Sequence, residues 1–126
     1  MQFELKMPLL GFESIKTMKL EKIDDIFMRL TSEQDESASF TLINPFVLTE
    51  YDFVVPTAIE TLLQINNTAN ILIFNVVIVQ SPIENSTINF AAPIVFNTDS
   101  MSMAQVILDN NSQYSIAEPI SNFLRN

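Results

Sequence analysis

Ile, Val and Thr fill 32 of the 126 positions, and glycine fills one. Side chains branched at Cβ are stiff at χ1 and suit pleated strands better than helices. Tight hairpins often need φ > 0, and with Gly11 alone the demand falls on Asn and Asp, the next most tolerant residues. They cluster where turns are wanted, at Asn66-Asn67, Asn70, Glu84-Asn85, Asp99 and Asp109-Asn110-Asn111. Gly11 itself is expected to mark a sharp bend between the first two strands.

Periodicity agrees with a strand-rich chain. Phe3, Leu5 and Met7 alternate with Gln2, Glu4 and Lys6, and Met18, Leu20 and Ile23 continue in that style beside Lys19 and Glu21. Short strands are expected over Ser39–Ile43, Tyr51–Val55, Thr87–Phe90, Ile94–Phe96, Gln105–Leu108 and Tyr114–Ile116. The run from Ile71 to Val79 is apolar on both faces apart from Asn75, as in a strand crossing the centre of a fold. This spacing, joined by polar turns, predicts an all-β fold: a small antiparallel β-barrel or barrel-like sandwich, one domain over residues 1–126.

One short helix is expected near 57–65. Thr57-Ala58-Ile59-Glu60 matches a capping box, Ala58, Ile59, Leu62 and Leu63 share a face, and Asn66-Asn67 can end the element. A second helical turn is expected from Asp24 to Leu30. Asn44 before Pro45 is held extended and ends the preceding strand, or else presents a loop; Pro82 and Pro93 look like strand-end or edge devices.

Fifteen acids against six bases give a net charge of −9, unevenly placed. Residues 1–29 are neutral, with five of each sign, whereas residues 30–124 carry ten acids and no base. Such a surface repels phosphate backbones, so direct nucleic-acid binding is not expected, and it steers toward a basic partner. The charge also keeps an apolar chain in solution. The longest apolar stretch is far short of the ~20 residues of a membrane-spanning helix, and the N-terminus lacks the layout of a signal peptide. The expected location is the cytoplasm, with no membrane partner.

The chain has no Cys and no His. Thiolate and imidazole chemistry, zinc-thiolate sites and His-based triads are therefore excluded, and one Gly rules out the glycine-rich phosphate loops. Only carboxylates remain, and the adjacent pairs Asp24-Asp25 and Asp35-Glu36 diverge on either a strand or a helix. No catalytic residue, metal site or cofactor is expected. Asp109-Asn110-Asn111-Ser112 resembles part of a calcium loop but lacks its Gly and its terminal Glu; a turn is the expected role. Met101-Ser102-Met103 suits either an adaptable contact patch or the edge of a core. Besides a protein that binds a basic partner, two readings stay open: a small-molecule-binding β-barrel with inward Asn75 or Asn89, and a hydrolase built on two facing acids.

Leu9-Leu10-Gly11-Phe12-Glu13, Phe40-Thr41-Leu42-Ile43-Asn44-Pro45 and the stretch from Ser86 to Asn97 (Ser-Thr-Ile-Asn-Phe-Ala-Ala-Pro-Ile-Val-Phe-Asn) resemble the FliW family of flagellar assembly factors. Ala104-Gln105-Val106-Ile107-Leu108, Tyr114 and Glu118-Pro119-Ile120 are similar as well, so the resemblance spans nearly the whole chain in order. Ile116-Ala117 departs from it, standing where relatives often carry an aromatic or basic residue.

The resemblance implies a small antiparallel barrel and a non-enzymatic bacterial regulator. FliW-like proteins bind the RNA-binding translational repressor CsrA, relieving repression of flagellin mRNA, and bind flagellin as the competing partner. The acidic segment then matches a basic CsrA surface, and Glu50, Asp52 and Glu84, each flanking an apolar strand, are expected to contact it. Flagellin's amphipathic terminal helices need an apolar patch, expected around Phe46, Val47, Leu48 and Tyr51, residues that would equally suit a core.

Overall fold

A computed structural model describes residues 1–9, 11–109 and 113–123. Its strands are β1 (Gln2–Leu5), β2 (Thr17–Lys22), β3 (Phe27–Thr31), β4 (Ser39–Ile43), β5 (Ile71–Ile78), β6 (Thr87–Ile88), β7 (Ile94–Asn97), β8 (Ser102–Gln105) and β9 (Glu118–Pro119), with one helix, α1 (Thr57–Leu63). Neighbours run β4-β3-β2-β1-β8-β7-β5, and β4 pairs back onto β5, closing a seven-stranded barrel. β6 and β9 extend the sheet beyond β5.

Six of the seven barrel pairings are antiparallel, and β1 with β8 is parallel, with Glu4 opposite Ser102 and Leu5 opposite Met103. The exception is arithmetical. Directions that alternate around a ring of odd number must repeat once, so an antiparallel seven-stranded barrel carries one parallel seam.

Phe3, Met18, Leu30, Leu42, Phe96 and Met103 fill the barrel, each fully buried. Each contributes roughly 1.5–3 kcal/mol by leaving water. Phe96 meets Phe3 and Phe74 edge-on, with centroids 5.0 and 5.9 Å apart. Met103 thus belongs to the core, not to a contact patch. β5 explains its unbroken apolar run: Leu72, Phe74 and Val76 pack inward, while Ile71, Ile73 and Val77 pack outward beneath two further layers. One outer layer is α1, whose Ile59 and Leu63 cover Val95, Ala104 and Val106. The other is made by residues 44–53 and 114–123, over Ile43, Val77, Ile88 and Phe90.

The helix starts one residue early for a capping box. The Pro56 carbonyl already accepts from Ile59 and Glu60 at 2.9 and 3.0 Å, so Pro56 occupies the cap and Thr57 is the first helical residue. Ala58 and Leu62 are exposed, leaving Ile59 and Leu63 as the buried pair. Gln64, not Asn66, ends the helix, in the left-handed conformation (φ 58°). The freed Leu63 carbonyl accepts from Asn97 Nδ2 at 2.7 Å and Ser100 Oγ at 2.9 Å, which ties the helix to β7 and the turn after it.

Other expectations shift for local reasons. Asp24 to Leu30 holds no helix. Asp24 Oδ1 takes the amides of Ile26 and Phe27 at 2.8 and 2.7 Å, satisfying by side chain what a helix would satisfy by backbone, and β3 follows. Tyr51–Val55 and Tyr114–Ile116 are not strands. β8 begins at Ser102, before the expected Gln105–Leu108, although Val106 and Leu108 still donate to the Pro93 and Ala91 carbonyls. Gly11 does sit in the turn between β1 and β2, at φ 87°. Among the described residues the other positive φ angles belong to Gln64 and Met101, not to Asn. The Asn residues shape turns differently: Oδ1 of Asn44, Asn66, Asn89 and Asn97 each accepts the amide two residues ahead. Asn110, Asn111 and Ser112 lie outside the described residues.

Candidate functional site

Asn44 ends β4 in an extended conformation (φ −79°, ψ 109°), and its Oδ1 accepts the Phe46 amide at 3.0 Å to start a 3-10 turn over Pro45–Val47. That turn puts Phe46 and Val47 at the surface, both about half exposed, while Leu48 packs partly against the outer core. From Tyr51 to Val55 the side chains alternate. Tyr51, Phe53 and Val55 turn inward, and Asp52 and Val54 turn to solvent, Val54 with 87% of its surface accessible.

Tyr51 is not a surface residue. Its ring lies 4.8 Å from Tyr114, 5.3 Å from Phe90 and 5.4 Å from Phe53, centroid to centroid. Its hydroxyl donates to the Phe90 carbonyl at 2.5 Å and accepts from Asn75 Nδ2 at 3.2 Å. Burial pushes the phenol up to about 12, against the Asn75 hydrogen bond, which favours the phenolate. Asn75 also donates to the Asn89 carbonyl at 3.0 Å, and its Oδ1 has no partner among the described residues. It therefore faces the outer layer and not the barrel lumen, where a ligand-binding barrel would need it.

Beside this hub lies a groove of about 320 Å³, lined by Thr49, Glu50, Phe90, Tyr114, Glu118 and Phe123 among others. Glu50 is exposed, and Glu118, from β9, accepts from Asn122 Nδ2 at 2.9 Å. Asp52 sits beside Glu50 on the same loop, its backbone held by the Tyr114 hydroxyl. Glu84 is placed apart, exposed on a 3-10 turn (Ile83–Asn85) that packs against the one at Ile120–Asn122. Sequence reasoning missed Glu118 and Val54. Val54 has a readable signal, the outward phase of the 51–55 alternation; Glu118 reaches Glu50 only through the fold.

Charge is sided. Lys19, Lys22 and Arg29 lie on β2 and β3, and Lys6 and Lys16 flank the β1–β2 connection. The described ion pairs, Lys6 with Glu4, Lys19 with Glu21 and Lys22 with Asp25, all lie there. The described part of every element from β4 onward is without a base.

Glu50 and Glu118 line the same groove, Glu50 exposed and Glu118 held through Oε1 by Asn122. Among the described residues no three Asp or Glu gather where they could hold a metal ion. A smaller cavity of about 170 Å³ at the barrel mouth lies between Leu9, Phe12, Phe40, Val76 and Ile94. Its polar groups are engaged, Asn89 with the Ala91 amide and Gln105 with the Ala92 carbonyl. Among the described residues no helix is long and apolar enough to cross a membrane.

A model of the FliW protein family matches residues 1–120. The chain belongs to the FliW family. It is 50% identical over 125 residues to the flagellar assembly factor FliW of Sulfurimonas denitrificans, covering 99% of each chain. Wolinella succinogenes has two relatives: flagellar assembly factor FliW 2, 48% identical over 98% of this chain and 92% of that one, and FliW 1, 39% identical over 99% of both. A crystal structure of the flagellar assembly factor FliW superimposes with a TM-score of 0.87 at 26% identity, covering 94% of this chain and 84% of that one. The seven-stranded barrel with its outer layers is thus a FliW fold, and the groove beside Tyr114 is a feature of this FliW chain's outer layer.

Proposed function

We propose that the chain serves flagellar assembly as a binding regulator in the cytoplasm: it sequesters CsrA, so that flagellin mRNA is translated, and it is itself captured by unsecreted flagellin. The observation that supports this is the sided charge. The elements from β4 onward present carboxylates without a base among their described residues, which suits a protein whose own positive surface holds RNA. Occupancy is then sufficient for regulation: a bound acidic neighbour repels RNA phosphates, and no reaction is needed. Glu50 and Asp52, with Glu84 on its separate turn, are the proposed contacts for CsrA. Phe46 and Val47, extended by Val54, are the proposed apolar contacts for a flagellin helix; Leu48 and Tyr51 support them from below.

The deciding experiment mixes the purified chain with CsrA and with flagellin, separately and together, at low and high salt. Complexes with each are expected at low salt, and the CsrA complex is expected to weaken as salt rises. Charge reversal by Glu50→Lys with Asp52→Lys should lower CsrA affinity about tenfold at low salt. Absence of either complex removes this reading.

A further inference from the structure

The groove beside Tyr114 has a composition that selects one kind of side chain. Phe90, Tyr114 and Phe123 form a continuous aromatic wall, with Phe90 centroids 6.3 and 5.8 Å from the other two. Tyr114 and Phe123 are half-buried, so their rings keep surface toward the groove. Glu50, from the loop before α1, and Glu118, from β9, both line it. Asn122 engages Glu118 through Oε1, which fixes the carboxylate and leaves Oε2 for a second donor. At about 320 Å³ the space falls at the lower end of the ~300–1,000 Å³ of small-ligand pockets, suited to a single side chain. An anionic small molecule is repelled there, and an apolar one would strip water from two carboxylates without pairing them.

Building on the basic-partner reading above, we infer that this groove receives one cationic side chain from the partner, arginine before lysine. A guanidinium can lie flat against an aromatic face while its N–H fork reaches a carboxylate, and it is more weakly hydrated than an ammonium. Glu118 is the anchor held by Asn122, Glu50 the exposed carboxylate on the neighbouring loop, and Tyr114 with Phe123 the stacking surface.

The test uses the full chain and two readouts. Ring signals of Phe90, Tyr114 and Phe123 are followed by NMR while acetyl-Ala-Arg-Ala-amide, its lysine analogue or its uncharged citrulline analogue is added. Shifts confined to these rings with the arginine peptide, smaller with lysine and absent with citrulline, are expected. Absence of shifts with the arginine peptide, or equal shifts with citrulline, overturns the assignment. Affinity for the basic repressor is then compared between Glu50→Gln with Glu118→Gln and Glu33→Gln with Glu36→Gln, which remove the same charge. The amide oxygen introduced by Glu118→Gln still accepts from Asn122, and unchanged thermal unfolding checks the fold. About a tenfold loss for the first pair and less than about threefold for the second is expected. Equal losses overturn the groove and leave the repressor complex standing, whereas failure of the unaltered chain to bind the repressor removes the proposed function and leaves the peptide result to decide the groove.

Discussion

The Tyr114 hydroxyl both accepts the Asp52 amide proton and donates to the Asp52 carbonyl, at 3.0 Å each, across 62 residues of sequence. One side chain from the C-terminal segment therefore closes a small ring with the backbone of the loop carrying Glu50, Asp52 and Val54. Tyr114→Phe keeps the edge-on ring contact with Tyr51 and removes only the hydroxyl. It should lower the unfolding free energy by about 1 kcal/mol, read from the urea midpoint, and speed hydrogen exchange at the Asp52 amide. An unchanged exchange rate at Asp52 would show that the loop is held by something else.

Tyr51 gives the chain an alkaline limit. Its folded pKa is raised to about 12, chiefly by burial, while an unfolded tyrosine titrates near 10. The unfolded state therefore loses the phenol proton first. The stabilisation is fully present below pH ~10 and is lost as pH rises toward ~12, by about 3 kcal/mol in all. The chain has two tyrosines, so Tyr114→Phe leaves Tyr51 as the only source of tyrosinate absorbance. That absorbance should appear well above pH 10 in the native variant, since burial of Tyr51 is the chief cause and Tyr114 adds only a lesser one, and near 10 in denaturant. A native titration near 10 would contradict the buried hydroxyl.

Two turn substitutions should act with opposite sign. Gly11 lies at φ 87°, and a Cβ built there meets no atom within 4 Å. Gly11→Ala should destabilise by about 1 kcal/mol through the backbone alone. Gln64 pays the corresponding penalty at φ 58° where a helix end favours glycine. Gln64→Gly should raise stability by about 0.5–1 kcal/mol, since its backbone contacts to Asn97 and Glu60 survive. Denaturant midpoints of both variants decide the matter.

Phe46 and Val47 should separate binding from folding. Each is about half exposed, so Phe46→Ser with Val47→Ser should change stability by less than about 1 kcal/mol. The same double variant should weaken the flagellin complex about tenfold while sparing the CsrA complex, as measured by calorimetry. A parallel loss of both complexes would place the two partners on one surface.

Much of the barrel was legible because alternation reports which face of a strand is wet. Gln2–Leu5, Ser39–Ile43 and the doubly apolar Ile71–Ile78 followed directly. Alternation does not report whether a partner strand lies alongside. Tyr51–Val55 shows the pattern in full, inward at 51, 53 and 55, yet it crosses the outer layer as a loop. Between Asp24 and Leu30 the spacing of Ile26, Phe27 and Leu30 imitated a helix, and one carboxylate accepting two amides decided otherwise. Pro56 displaced the capping box at Thr57 for an equally local reason. The candidate contacts were legible only by neighbourhood. Glu50 and Asp52 share a loop and were read together, while Tyr51 between them faces the opposite way. Glu118 became visible only when β9 paired with β6.

The parallel seam between β1 and β8 has a temporal meaning. Gln2–Leu5 is made about a hundred residues before Ser102–Gln105, so one flank of β1 waits bare until β8 follows. Such a flank invites stray pairing with neighbouring nascent chains, and Glu4 and Lys6, a charged couple at its end, are the sort of residues that discourage it. Closing that seam is intrinsically slow because a long loop must close first, so the barrel is complete only once Ser102–Gln105 has been made and has found β1.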